Sequence, residues 1–333
     1  MATDTLPSAK QTKPRRRWLQ YSLRTLLIVM TLLAVWLAFY TSRARRQARA
    51  AKALEEAGAE VLYFNRFQHS ANAARFTKPV APDWLRDLLS VDFVDSVRTV
   101  VLTGNHPNVP RSEPVSDAHL AHLKDLPEVE ALILVSRSGS VTNAGLAHVA
   151  KLSQLKELML ANPSITDEGI GQLGALHELR FLQLATSITD AGIEQLQAFR
   201  KLERLELAGP GGFTRNSRLA INVLESSAPL NFFDVPLSDV LDFVSDLGAL
   251  PVTIDQEALD EAGLDLDSPV TFTSKGPLAD SLDRVLHHLD LGWMITPDGL
   301  VITTKEIADE KQAAINRLKQ ALPNLKAAYL VVE

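Results

Sequence analysis

The sequence predicts an α/β protein in three parts: one transmembrane helix, a solenoid of helix–strand repeats, and a small βαβ-βαββ sandwich domain. Three observations support this prediction. An uncharged apolar run near the N-terminus is long enough to cross a bilayer. From residue 115 onward, one pattern of apolar residues recurs every 23–26 residues. Two later segments each have the pattern of a strand, a helix and a further strand.

Charge is distributed unevenly along the 333 residues. Residues 1–52 contain eleven Lys and Arg side chains and one acid, a local charge of +10, so residues 53–333 carry −16 to give the overall −6. A basic segment suits contact with anionic lipid. The acidic remainder lacks the basic surface that nucleic-acid binding requires. The chain has no cysteine, which excludes disulfides and thiol catalysis.

Residues 25–41 form an uncharged run of 17 residues with arginines on both sides. As a helix the run is about 26 Å long. We predict a retained transmembrane helix rather than a cleaved signal peptide, because arginines rather than small residues follow the run. Residues 1–24 are then a basic cytoplasmic tail, and residues 42–58 a stalk helix that ends at Gly58. The flanking charges nearly balance; we expect a single-pass inner-membrane protein with its N-terminus inside and its body in the periplasm.

Four segments share one pattern of apolar residues, in which steps of three are followed by a step of two. In the second segment the apolar positions are Leu146, Val149, Leu152, Leu155, Leu158 and Leu160. Steps of three place residues on one side of a short helix, whereas a step of two belongs to a strand. A hydroxyl residue that could cap the helix precedes each one: Ser116, Thr142, Thr166 and Thr189. Each unit is therefore predicted to bury its apolar edge by stacking on its neighbours.

These segments begin at Val115, Val141, Ile165 and Ile188 and resemble the cysteine-free leucine-rich repeats of bacterial membrane proteins, whose motif is ITDAGLxxLxxLxxLxxLxL. The resemblance covers roughly residues 95–209. It implies a leucine-rich-repeat solenoid over residues 59–209, including an N-terminal cap. A helix over residues 84–94 and a strand over residues 98–102 are expected to start the sheet.

In such repeats the residue between the two strand leucines lies on the concave face of the sheet. This places Val101, Ile133 and Met159 there as an apolar stripe, with Val135 and Phe181 beside it, and these five residues are our predicted partner-binding site. Exposed apolar stripes mark contact surfaces. The alternative is that another part of the chain covers the stripe. On the helical side, one slot holds His122, His148, Gln172 and Gln195, which we interpret as solvated side chains rather than metal ligands.

Residues 210–218 are predicted to be a linker, and residues 219–305 a second domain. That domain resembles the short N-terminal domain of secretins and of TonB-dependent receptors, on the segments FFDVPLSDVLDFVSDLGALPVTID and TFTSKGPLADSLDRVLHHLDLGWMITPDGLVITT. The resemblance implies a periplasmic module that contacts proteins. Within residues 306–333, the apolar residues have the spacing of one more repeat. We predict a helix and a strand in which Ala328 pairs beside Leu205, as a capping repeat; the rival view is that this tail only packs on the second domain.

No catalytic triad, nucleophile elbow, buried carboxylate pair or metal-ligand spacing is recognisable in the sequence. We therefore expect a protein-interaction scaffold without enzymatic activity at the bacterial envelope. It is expected to bind a protein partner, to contact lipid through residues 25–41, and to use no cofactor, metal, nucleic acid or small-molecule substrate. Two alternatives stay open: an envelope hydrolase with a site between the two domains, and a self-associating structural component.

Overall fold

The computed structural model describes residues 23–63, 95–103, 115–136 and 140–332. These residues form a mixed α/β structure with a large, mostly parallel sheet and one long N-terminal helix. The chain divides into two compact units, Met1–Ala44 and Arg45–Glu333. The predicted helix over residues 84–94 and nearly all of the predicted basic tail lie outside the described residues.

The first helix, α1, extends from Leu23 to Glu56. Its N-terminal half is apolar and exposed, with a mean hydropathy of 2.0 in its most apolar window, so the helix is long and apolar enough to span a membrane. Trp36 and Tyr40 stack there, with ring centroids 5.4 Å apart.

The last turns of α1, in the predicted stalk helix, belong to the second unit and pack against its core. Ala50, Ala51 and Leu54 are buried in an apolar core, and the Gln47 side chain donates a hydrogen bond of 2.9 Å to the Asp95 carbonyl. The helix ends as predicted near Gly58, whose positive φ of 86° suits glycine. These turns thus cap the core, because Ala and Leu on one helix side can bury apolar surface there.

The large sheet has ten strands in the order β1-β2-β3-β4-β5-β6-β12-β10-β11-β8. In chain order, its strands in the described residues begin with β1 Glu60–Leu62, β2 Thr99–Leu102, β3 Ala131–Val135, β4 Glu157–Ala161, β5 Phe181–Ala185, β6 Arg204–Ala208, β8 Val252–Ile254 and β10 Leu291–Thr296, since β7 and β9 belong to another sheet. The other two are β11 Gly299–Thr304 and β12 Ala327–Val331. Neighbours pair in parallel except β1–β2 and β10–β11. The predicted strand at residues 98–102 is present as β2, but β1 precedes it at the edge of the sheet.

Each of the four predicted units contains a short helix followed by a strand. The helices are α2 Asp117–Leu120, α3 Asn143–Val149, α4 Asp167–Gln172 and α5 Asp190–Gln195. Strands β3 to β6 follow them and pair in register, so that one leucine from each strand lies beside that of the next: Leu132, Leu158, Leu182 and Leu205. These leucines are fully buried in one continuous core. The step pattern in the sequence therefore predicts both the element types and their core faces correctly.

Side chains also join each unit to the next. The Asp117 carboxylate accepts hydrogen bonds from the Thr142 backbone N–H and hydroxyl, at 2.9 and 2.8 Å. Asp167 accepts the same pair from Thr189, at 2.9 and 2.6 Å. A Cβ on the glycine three residues after each capping threonine would clash with the acid or amide side chain of the preceding unit, as at Gly192 with Asp167. The glycine of the motif is therefore required by that acid or amide.

The chain leaves the repeated units after β6 and returns to them at its end. The returning segment is α10, Lys305–Ala321, followed by β12. Ala328 pairs with Leu205 in a parallel ladder of five residue pairs, which confirms the predicted position of this strand. Asp190 of α5 lies 3.5 Å from Arg317 of α10, so an ion pair joins the fourth unit to the returning segment.

Between these segments lie α6 Arg215–Glu225, β7 Leu230–Pro236, α7 Leu237–Asp246, α8 Gln256–Ala262, β9 Pro269–Ser274 and α9 Leu278–His287, together with β8, β10 and β11. The predicted order of strands and helices is present, with α8 in addition. The predicted linker over residues 210–218 is wrong in its last part, because Thr214 caps α6 and the helix begins at Arg215.

The inserted segment does not form a separate sandwich. Among the strands that the structure describes, only β7 and β9 form a sheet of their own, whereas β10 pairs with β12 and so continues the large sheet. The Val332 N–H donates to the Ile295 carbonyl at 2.8 Å. Because the free edge of β12 needs backbone partners, β10 extends the same ladder. The apolar core of the insertion accordingly includes Tyr329 and Val331 of β12.

We predict that Gly192→Ala destabilises the second unit by about 1–3 kcal/mol, because the new methyl group displaces Asp167 and breaks its two hydrogen bonds to Thr189. Chemical denaturation measures the change. Gly174→Ala is the matched control, since a Cβ there meets only an ordinary contact at 3.4 Å. In an Asp167→Ala background the cost of Gly192→Ala should largely vanish; an unchanged cost would contradict the explanation.

Candidate protein-binding surface

Alternate residues of the parallel strands point away from the main core, because side chains alternate between the faces of a sheet. One row of these residues runs across six strands in register: Val101, Ile133, Met159, Gln183, Glu206 and Tyr329. We call it the central row. Neighbouring strands are about 4.8 Å apart, so its members are adjacent. The structure thus brings together Val101, Ile133 and Met159 as the sequence predicts.

The central row changes from apolar to polar along the sheet. Val101, Ile133 and Met159 are half-buried and belong to neither of the two apolar cores among the described residues. Gln183 and Glu206 are buried and joined by a hydrogen bond of 2.5 Å from the Gln183 amide to the Glu206 carboxylate. The apolar part of the face is therefore confined to β2, β3 and β4, with half-buried Val135 beside Ile133 on the same strand.

Phe181 has a different environment from the other predicted stripe residues. Its side chain is 5% exposed, and the Arg204 guanidinium lies over its ring at 5.7 Å from the centroid. Arg204 also donates from Nε to Glu206 at 2.8 Å and forms an ion pair with Glu225 of α6. Phe181 thus lies beneath a polar network and offers little area to a partner.

The network around Arg204 is a feature that the sequence analysis did not predict. Arg204 and Glu206 are two residues apart in β6 and so share a face, but Glu225 comes from a helix that the sequence did not locate. Burial lowers the pKa of Arg204, but the carboxylates of Glu206 and Glu225 raise it more, so that its pKa lies above the ordinary arginine value. The guanidinium remains charged and anchors α6 to the sheet.

The insertion covers one end of this face. Ala185 and Ala208, which follow the central row on β5 and β6, belong to the same apolar core as Ala220, Ile221 and Leu224 of α6. Tyr329 of the central row is part of that core too, and its burial strongly raises the pKa of its hydroxyl. The sequence left open whether a partner or another part of the chain covers this face. At β5, β6 and β12 the chain itself covers it.

The polar ladder on the helical side is less exposed than predicted. His122, His148 and Gln172 are half-buried, and His148 Nδ1 and Gln172 Oε1 have no hydrogen-bond partner within the described part of the chain. Among the residues that the structure describes, no group of three or more His, Asp or Glu side chains is arranged to hold a metal ion.

A cleft of about 350 Å³ lies between α9, β10 and α10. Asp283 in this cleft accepts a hydrogen bond of 2.5 Å from the Trp293 indole N–H, and burial raises the pKa of its carboxyl despite that bond. His287, His288 and Lys319 also line the cleft, whereas no hydroxyl or thiol side chain does. Asp283 is the kind of perturbed acid that a hydrolase site would contain, but the cleft provides no Ser, Thr or Cys nucleophile.

The raised pKa of Asp283 predicts a pH dependence of stability. A carboxyl whose folded pKa exceeds its unfolded value stabilises fully at low pH, and this contribution is lost as the pH rises through the folded pKa. We expect Asp283→Asn to become progressively more stable relative to the unchanged protein as the pH rises from 3 to 7, measured by thermal unfolding. Asp309→Asn controls for the removal of one charge from the same cleft. A stability difference independent of pH would contradict the assignment.

The sequence matches no protein-family model, and no curated protein is detectably similar to it. Its function is therefore inferred from the residues and geometry described above.

Proposed function

We propose that this chain is a membrane-anchored protein-interaction scaffold without enzymatic activity, acting at the bacterial envelope. The observation that carries the proposal is the apolar part of the central row, Val101, Ile133 and Met159, side by side on a rigid parallel sheet. An apolar strip of this kind, half-buried and outside both cores, suits insertion of apolar side chains from a protein partner. Val135, two residues after Ile133 on β3, extends the strip along that strand.

The repeated units support their interpretation as leucine-rich repeats. Each has a short helix, a buried leucine ladder and a strand that pairs in parallel with the next. On this proposal α10 and β12 form the capping repeat, and the segment from α6 to β11 is an insertion related to the short N-terminal domain of secretins and TonB-dependent receptors. That relationship favours a protein-contact role for the insertion as well.

Helix α1 supports the proposed membrane anchor, because its apolar half is exposed over a length sufficient for a bilayer. We propose that residues 25–41 cross the inner membrane with the N-terminus in the cytoplasm and the second unit in the periplasm. The flanking charges support this orientation only weakly, but the periplasmic location of the resembling module favours it.

The proposed orientation predicts the outcome of protease treatment. In intact spheroplasts, an added protease should digest an epitope tag at the C-terminus and spare a tag at the N-terminus, because only the second unit would be accessible. Lysis of the spheroplasts should expose both tags, which shows that each is cleavable. Protection of the C-terminal tag before lysis would place the second unit in the cytoplasm and overturn the proposed location.

The proposed binding surface predicts where a partner contacts the chain. A photo-reactive amino acid at Met159 should cross-link a distinct protein in native membranes, whereas the same label at exposed Ala147 of α3, on the helical side, should not. Adding Ile133→Gln should reduce the cross-linked product about tenfold or more, since central apolar contacts contribute roughly 1–2 kcal/mol or more each. A melting temperature within a few degrees of the unchanged protein verifies that the variant is folded.

The same experiment separates the proposal from its alternatives. If the product at Met159 is a dimer of this chain, the protein is the self-associating component instead. If Met159 and Ala147 give equal labelling, the central row has no specific partner and the proposal is wrong. The hydrolase alternative would depend on the cleft around Asp283, whose lining residues lack a hydroxyl or thiol nucleophile.

A further inference from the structure

A cleft of about 220 Å³ lies at the carboxyl ends of β5, β6 and β12, apart from both surfaces described above. Its walls are apolar, formed mainly by Ile188, Ile193, Leu207 and Leu330, and its polar side chains are Thr186 and Lys311. No acidic residue lines it. The cleft is larger than the cavities of about 150 Å³ that bind a benzene molecule in proteins.

The cleft lies at an end of the core that apolar side chains close in the other units. In successive units the residue before the capping hydroxyl closes the end of the core, and Val115, Val141 and Ile165 are each at most 1% exposed. Ile188 in the same position is half-buried. In the last unit the longer helix α10 passes this end of the core, and its residue Lys311 lines the cleft. Lys311 is exposed, so it does not close the core as the buried apolar side chains do in the other units.

Thr186 provides a second, independent sign of a binding site. Its residue is 2% exposed, yet its hydroxyl has no hydrogen-bond partner within the described part of the chain. One unit earlier, Asn162 occupies this position and donates to the Val141 carbonyl at 3.0 Å. The threonine side chain is shorter and makes no equivalent hydrogen bond to the Ile165 carbonyl among the described residues. A buried hydroxyl without a partner is costly, and a ligand that supplies one removes the cost.

We propose that this cleft binds a short aliphatic carboxylate of about six carbons. The chain of the ligand lies against Ile188, Leu207 and Leu330, and its carboxylate binds Lys311 at the rim, with the Thr186 hydroxyl as a further donor. Lys311 makes no ion pair among the described residues, so its charge is available. A cation at the rim and the absence of acidic lining residues select an anion over a neutral alcohol of the same length.

Hexanoate binding to the full-length protein in lipid nanodiscs tests the proposal, with saturation-transfer NMR as the readout and empty nanodiscs as the control for partitioning. We expect saturable binding with a dissociation constant of about 1 mM or below. Lys311→Ala should weaken binding about tenfold or more, and 1-hexanol should bind correspondingly more weakly than hexanoate. Lys319→Ala on the same helix, outside this cleft, should bind hexanoate normally.

Thr186→Val gives a measurement that does not depend on Lys311. It should weaken hexanoate binding several-fold while leaving the ligand-free protein at least as stable, because it removes an unpaired buried hydroxyl. Absence of saturable binding, or equal affinity of the Lys311→Ala protein and the unchanged one, would overturn the proposal. The Met159 cross-linking result is independent of these outcomes, since Met159 does not line this cleft.

Discussion

Strand β12 forms backbone hydrogen bonds to other strands along both of its edges, and the arrangement of the second unit depends on this pairing. One edge pairs with β6 through five residue pairs and the other with β10 through Ile295 and Val331. Its two faces are likewise divided, because Ala328 is buried in the core of the repeated units while Tyr329 and Val331 are buried in the core of the insertion. A five-residue strand therefore joins the two cores by backbone hydrogen bonds and by side-chain packing at once.

The repeated units are held together by a polar ladder as well as by their leucines. Each carboxylate or amide of the capping segment binds the backbone and hydroxyl of the next threonine, and a glycine makes room for it. The threonine and the acid or amide of the pattern thus each have a partner in an adjacent unit. Where the ladder ends, Asp190 forms an ion pair with Arg317 of α10.

The proposed surface and the proposed ligand cleft both arise at places where this regularity changes. The central row is apolar at β2 to β4 and becomes polar at β5 and β6, where α6 and the Arg204 network cover the sheet. The cleft forms at the end of the core where α10 presents the exposed Lys311 rather than a buried apolar side chain. In each case an unfilled apolar area remains, and such areas in a stable domain are where partners or ligands gain the most from desolvation.

The sequence by itself determined the repeated units, their element types, the register that aligns Val101, Ile133 and Met159, and the return of the chain at Ala328. It could do so because apolar periods of three and two are local and recur, so every unit predicts the others. Only the tertiary structure decided that α1 ends in the core, that β10 joins the large sheet, that Glu225 and Arg204 cover Phe181, and that Lys311 leaves a cleft open. These features depend on contacts between segments that are distant in the chain or follow no shared pattern, and no local period encodes such contacts.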